Sequence, residues 1–179
     1  MSSSTFRRWL AVSTAYTIVT LTAVHVEAQT VSRTKASASP EELHQAAAEL
    51  HALHDRLGDA ARLHQQSARL RSTDDPQAIE CLALAAHLQL YTDRPLAARR
   101  TMEQAADRAL SIGSVERAAQ AFLEAAFIAQ RRGDDGEVQR FAWRAYLLTA
   151  SPLLTGEQRS AIRDRITREL PVVARAGRP

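Results

Sequence analysis

The sequence has few of the residues that cross-link small folds and few of those that favour β-strands. A single cysteine, Cys81, excludes a disulfide within the chain. Aromatic residues make up only 5% of the sequence, and glycine and proline number six each, while alanine and leucine supply much of the 45% that is hydrophobic. This composition favours helices over sheets. A chain of 179 residues is nevertheless long enough to bury a core without covalent support.

The usual motifs of catalysis are missing as well. The sequence has no nucleophile elbow, no zinc-protease histidine motif, no phosphate-binding glycine loop and no dinucleotide fingerprint. Its acidic pairs, Glu41-Glu42 and Asp74-Asp75, fall at predicted helix starts, where carboxylates stabilise the exposed amides of the first turn. We therefore expect a protein that is not an enzyme, with no catalytic residues and no cofactor.

Charge gives little indication of a partner. The 23 basic residues outnumber the 20 acidic ones by only three, and Lys35 is the one lysine among them. An arginine-rich composition of this kind is common in GC-rich bacteria. The arginines are scattered along predicted helices and are not interleaved with aromatic residues, so nucleic acid is not an expected partner.

The first 28 residues have the three parts of a secretory signal. Arg7 and Arg8 precede an apolar stretch over residues 9–24, and the small residues Val26 and Ala28 suit a signal peptidase. We expect cleavage after Ala28 and a periplasmic or secreted protein. The alternative is an uncleaved inner-membrane anchor, which would be the only part in contact with a membrane. The pattern does not choose between Sec and twin-arginine export.

Capping and turn residues divide the remainder into helices. Residues 29–39 are polar and aperiodic and predict a flexible tether, and residues 171–179 predict a disordered tail. Ser39 to Glu42 form a capping box, and Gly58 is predicted to end the first helix so that Asp59 caps the second. The short loops predict antiparallel pairs. Seven helices are expected, near 40–57, 59–72, 75–92, 95–111, 115–132, 135–150 and 156–170.

An internal repeat relates these helices. A shift of about 40 residues aligns four pairs: Leu82 with Phe122, Ala86 with Ala126, Ala98 with Val138, and Ala105 with Ala145. Residues 119–152, with aromatic Phe122, small Ala126 and Ala145, the turn Gly133-Asp134 and Pro152, resemble a tetratricopeptide repeat. The resemblance implies an all-α domain over residues 40–170, built from three stacked antiparallel helical hairpins and a C-terminal capping helix.

The capping helix is expected to cover an apolar face of the sixth helix. Val138, Phe141, Ala142, Ala145 and Leu148 form one stripe of that helix, which predicts contact with the fifth. A second apolar face would expose a sizeable patch unless another element covers it. That second face consists of Trp143, Tyr146, Leu147 and Ala150.

The resemblance also implies a binding groove along the first helix of each hairpin. The matching positions are Glu80, Ala83, His87, Leu90, Tyr91, Gln120, Leu123, Phe127, Gln130 and Arg131. Leu123, Phe127 and Tyr91 would form an apolar floor suited to an amphipathic helix or extended segment. This predicts a non-catalytic exported scaffold or adaptor with a protein or peptide partner. Two alternatives stay open: a structural subunit of a cell-envelope assembly, and Phe127 and Tyr91 serving only as core between hairpins.

A metal site is the third functional alternative. His44 and His51 are two helical turns apart and Asp55 follows one turn later, a spacing that could place two ligands on one ion. No third ligand is evident nearby in sequence, so no metal is expected. Cys81 lies in an apolar run and is expected to be a small buried hydrophobic residue.

Overall fold

The computed structural model describes residues 38–52 and 56–170, and these ranges contain seven α-helices and no strand. The predicted all-α class is therefore confirmed. The predicted signal peptide, nearly all of the tether, and the tail after residue 170 lie outside the described residues. The helices are α1 Pro40–Ala52, α2 Leu57–Leu70, α3 Gln77–Tyr91, α4 Pro95–Ser111, α5 Val115–Gln130, α6 Asp135–Leu148 and α7 Gly156–Glu169.

The helices pack in chain order as three hairpins, α1/α2, α3/α4 and α5/α6, and α7 packs against both α5 and α6. Side-chain pairs join one hairpin to the next. Glu80 of α3 pairs with Arg117 of α5 at 3.2 Å, and Gln65 of α2 donates to Thr101 of α4 at 2.9 Å. The stack thus has one layer of first helices and one of second helices. No helix among residues 38–52 and 56–170 is long and apolar enough to cross a bilayer.

Three turns share one backbone conformation at 20-residue intervals. Asp93, Gly113 and Gly133 have φ angles of 53°, 72° and 69°. After each of them, the next amide donates to the carbonyl five residues earlier, as in Arg94 to Gln89 at 2.8 Å. This is the Schellman arrangement that ends a helix and reverses the chain. Similar turns therefore connect successive helices from α3 to α6.

The turn between α1 and α2 differs from the prediction. Arg56, with a φ of 52°, precedes α2, whereas Gly58 lies inside that helix. The Arg56 carbonyl accepts from the amides of Asp59 and Ala60 at 2.8 and 3.1 Å, and the Arg56 guanidinium binds the Asp59 carboxylate. Asp59 therefore supports the first turn of α2 from within the helix, and does not cap it.

Small side chains allow close helix packing, and one aromatic pair fills the wider space between α5 and α6. Phe122 and Phe141 stack with their ring centroids 6.3 Å apart. The guanidinium carbons of Arg144 and Arg140 lie 4.0 and 4.1 Å from the centroids of these two rings. Both arginines also bind Glu103 of α4. Charged side chains from the second-helix layer therefore cover this part of the core.

The prediction that the last helix covers the second apolar face of α6 is wrong. Trp143, Tyr146 and Leu147 are 55%, 42% and 54% exposed, so α7 does not cover them. Among these three, the described contact with α7 is Arg163 over the Tyr146 ring, at 5.6 Å.

The geometry of α7 explains the difference. Its apolar residues Ile162 and Ile166, with Leu170 after it, are buried in the main core. The helix packs against α5 and α6. Ala150 is exposed together with the rest of the second face of α6.

A candidate binding groove along the first helices

Two adjoining cavities follow the first-helix layer. One, of about 310 Å³, lies between α3 and α5, with Met102 and Ala105 of α4 beneath it and Arg165 of α7 beside it. The other, of about 510 Å³, lies at the C-terminal end of α3. His87 lines both cavities, which makes them one groove. Of the predicted partner-binding residues, the lining includes Glu80, His87, Tyr91, Gln120 and Arg131, together with Ala83 and Leu90.

The smaller cavity is lined by charged side chains that already have partners. Glu80 pairs with Arg117 at 3.2 Å, and Glu124 pairs with Arg165 at 2.6 Å. Gln120 donates to Glu116 at 3.2 Å. A ligand at this end would have to exchange these contacts for its own, so little binding energy is available here.

The larger cavity has a different lining. Tyr91 is 77% exposed at the end of α3, and His87 and Arg131 are exposed beside it. Within the described residues, none of these three side chains has a hydrogen bond or ion pair. Leu84, Leu88 and Leu90 supply apolar lining next to them. This combination of an open aromatic ring, apolar walls and two basic groups is hereafter the Tyr91 surface.

Two predicted groove residues contact α7, and a third is buried in the core. Leu123 is only 1% exposed, so it offers no surface to a partner. Phe127 is half-buried against the core, with the Arg165 guanidinium 4.9 Å from its ring centroid. Gln130 donates to the carbonyl oxygen of Glu169 at 3.2 Å. The predicted apolar floor of Leu123, Phe127 and Tyr91 therefore does not exist as one surface, and only Tyr91 is open.

The side chains that could hold a metal lie outside this groove. His44, His64 and Cys81 come together from α1, α2 and α3. Of the other residues in the predicted metal pattern, His51 lines the larger cavity and Asp55 lies outside the described residues. Cys81 is buried as predicted, but it contacts His44 Nδ1 at 3.3 Å and Ser67 Oγ at 3.6 Å.

Sequence reasoning missed His64 and the polar contacts of Cys81, although a signal was present. Residues in contact between successive hairpins are separated by about 37 positions, as Glu80 and Arg117 or Glu103 and Arg140 show. His44 and Cys81 have this same separation. This separation, slightly shorter than the 40-residue repeat, pairs His44 with Cys81.

A scan of the sequence against models of known protein families gives no match, and a search of curated proteins also gives none. The resemblance to tetratricopeptide repeats thus depends on the residues quoted above.

Proposed function

We propose that this chain is an exported, non-catalytic scaffold of tetratricopeptide type that binds a segment of another protein at the Tyr91 surface. The observation that carries the proposal is the 77% exposure of Tyr91 beside a cavity of about 510 Å³. An aromatic ring in this position loses little conformational freedom on binding, and such rings often dominate the affinity of protein interfaces.

The lining of the cavity defines the chemistry of the segment. The leucines of α3 provide a contact for an apolar anchor, and Arg131 can bind a carboxylate or a backbone carbonyl. His87 continues the groove toward the charged cavity, where Glu80 and Gln120 present polar groups. An amphipathic helix or extended segment with an apolar residue next to an acidic one fits this arrangement.

A second candidate function has its own observation. Trp143 and Tyr146 stack with centroids 5.5 Å apart on the outer face of α6, and Leu147 and Leu153 are 54% and 68% exposed nearby in sequence. Exposed apolar groups on one helix face are typical of subunit contacts. The chain could use this outer face as a structural subunit of an envelope assembly.

Site-specific photo-crosslinking separates the two candidates. A photoreactive amino acid is placed at Tyr91, at Trp143 and at Arg100, an exposed control position on α4, in cells that export the chain. The proposal predicts one defined adduct from position 91 and none from position 100. Adducts from position 143 alone would favour the subunit role and contradict binding at the Tyr91 surface.

Two alanine substitutions then separate binding from folding. Tyr91→Ala removes an exposed ring and should leave the free energy of unfolding within about 0.5 kcal/mol of wild type while the adduct is lost. Phe127→Ala removes a ring packed against the core and should cost about 2 kcal/mol or more. If Tyr91→Ala destabilises the fold as much as Phe127→Ala does, Tyr91 is a core residue and the proposal fails.

A further inference from the structure

Three metal-ligating side chains meet beneath α1. Cys81 Sγ and one ring nitrogen each from His44 and His64 all lie within 4.8 Å of one another. Cys81 is fully buried and His64 is 1% exposed, whereas His44 is half-buried and lies nearest to solvent. The imidazole rings of the two histidines are 5.0 Å apart and tilted by 59°, so they do not stack face to face.

His64 also has an unsatisfied polar atom. Its Nδ1 is buried and has no hydrogen-bond partner within residues 38–52 and 56–170. A buried imidazole nitrogen without a partner costs free energy, and such an atom calls for an explanation. Burial, with the nearby charges of His44 and His51, lowers the pKa of His64 from 6.5 to about 4. Metal ions bind the neutral form of imidazole.

We propose that His44, His64 and Cys81 form a binding site for a zinc(II)-class transition-metal ion that joins α1, α2 and α3. Zinc(II)-class ions favour thiolate and imidazole ligands, as in this set of one thiolate and two imidazoles. Calcium and magnesium prefer oxygen ligands. With bonds of about 2.3 Å to sulfur and about 2.0 Å to nitrogen, tetrahedral ligands are about 3.5 Å apart. The His44–Cys81 distance of 3.3 Å already meets this requirement.

The remaining adjustment is small. His44 and Cys81 already meet the required distance, so the adjustment falls on His64, whose ligand atom lies within 4.8 Å of the other two and must approach by at most about 1.3 Å. Three protein ligands leave the fourth position of the tetrahedron for water. Binding replaces the S–H bond of Cys81 with a metal–sulfur bond, so one proton is released to solvent for each ion bound by the thiol form.

Nearby charges are compatible with a cation at this site. Arg71 interacts with Cys81, but its guanidinium also binds Glu41 at 3.1 Å and Asp75 at 2.8 Å. These two carboxylates offset its positive charge. Ser67 Oγ, 3.6 Å from the sulfur, donates to the carbonyl oxygen of Pro40 and so fixes the start of α1 over the cluster.

Cobalt(II) and zinc(II) titrations of the full-length chain, purified without a histidine tag, test the proposal. Cys81 is the only cysteine, so a thiolate-to-cobalt charge-transfer band can arise only from this residue. We expect that band at one cobalt per chain in a monomeric protein, together with the visible bands of a tetrahedral ion. Calorimetry in two buffers should show release of about one proton per zinc.

Variants locate the ligands. Cys81→Ser and His64→Gln should each weaken zinc binding by about 100-fold or more, and zinc should no longer raise their melting temperature. His51→Ala should change the zinc affinity by less than about threefold, because His51 is not a ligand in this site. Circular dichroism of the metal-free variants checks that they fold. If His64→Gln is unstable, Cys81→Ser still tests the proposal, because it only replaces the sulfur atom with oxygen.

Three results would overturn the proposal. The first is the absence of a charge-transfer band with wild-type protein, which would mean that His44, His64 and Cys81 are only a hydrogen-bonded part of the core. The second is wild-type zinc affinity in Cys81→Ser. The third is loss of binding confined to His51→Ala, which would place the ion on the outer side of α1.

Discussion

The docking of α7 gives the sharpest test of the packing. Ile166 is 6% exposed, in a core cluster that also contains Phe122 and Ile162. Ile166→Ala removes three carbon atoms from this core, which corresponds to about 2.4 kcal/mol of transfer free energy at about 0.8 kcal/mol per buried carbon. The cavity left behind adds to the loss, so a total of about 3 kcal/mol is expected.

Urea unfolding followed by circular dichroism measures this loss. The matched control is Leu153→Ala, which removes a side chain that is 68% exposed just before α7 and should cost less than about 0.5 kcal/mol. Trp143, already 55% exposed, should keep its native emission in Ile166→Ala. Equal stabilities for the two variants, or a red shift of that emission in folded Ile166→Ala, would refute the packing described for α7.

Three further outcomes are expected. Gly133→Ala should cost about 1 to 2 kcal/mol because residue 133 has a φ of 69°, whereas Gly136→Ala inside α6 should be neutral or stabilising; equal effects would contradict the turn geometry. In the metal-free protein, the unfolded chain binds a proton at His64 more tightly than the folded one does. Stability should therefore fall as the pH drops from 6.5 toward about 4, by about 2 kcal/mol at pH 5, and His64→Gln should lack this contribution. Mass analysis of exported protein should find Gln29 at the N-terminus, and an intact chain would contradict cleavage.

Helix ends were predictable where capping is local. Ser39 and Glu42 exchange the two hydrogen bonds of a capping box, and Thr155 and Gln158 do the same at the start of α7. The sequence alone is sufficient in these cases because both partners lie within four residues. The turn near Gly58 was misplaced because a glycine is not required for a positive φ. Arg56 takes that conformation, and its carbonyl accepts hydrogen bonds from the first turn of α2.

The candidate groove was predictable only in part. The resemblance to tetratricopeptide repeats implied that His87, Tyr91 and Arg131 share a face, and these three side chains line one cavity. It also placed Leu123 and Phe127 on that face. Leu123 is 1% exposed, and Arg165 of α7 lies over the half-buried Phe127 ring. Sequence periodicity does not show which neighbouring helix packs against a given face.

Over the described residues, the sequence by itself determined the helical class, the number of helices, their pairing through short turns and the capping boxes at Ser39 and Thr155, since each depends on contacts between residues close along the chain. The tertiary structure alone decided that α7 packs against α5 and α6 and leaves Trp143 exposed. It also decided that His64 joins His44 and Cys81. Both outcomes depend on how far one helix is displaced and rotated against another. That geometry is set by the packing of the whole stack, so it cannot be read from any one segment of the sequence.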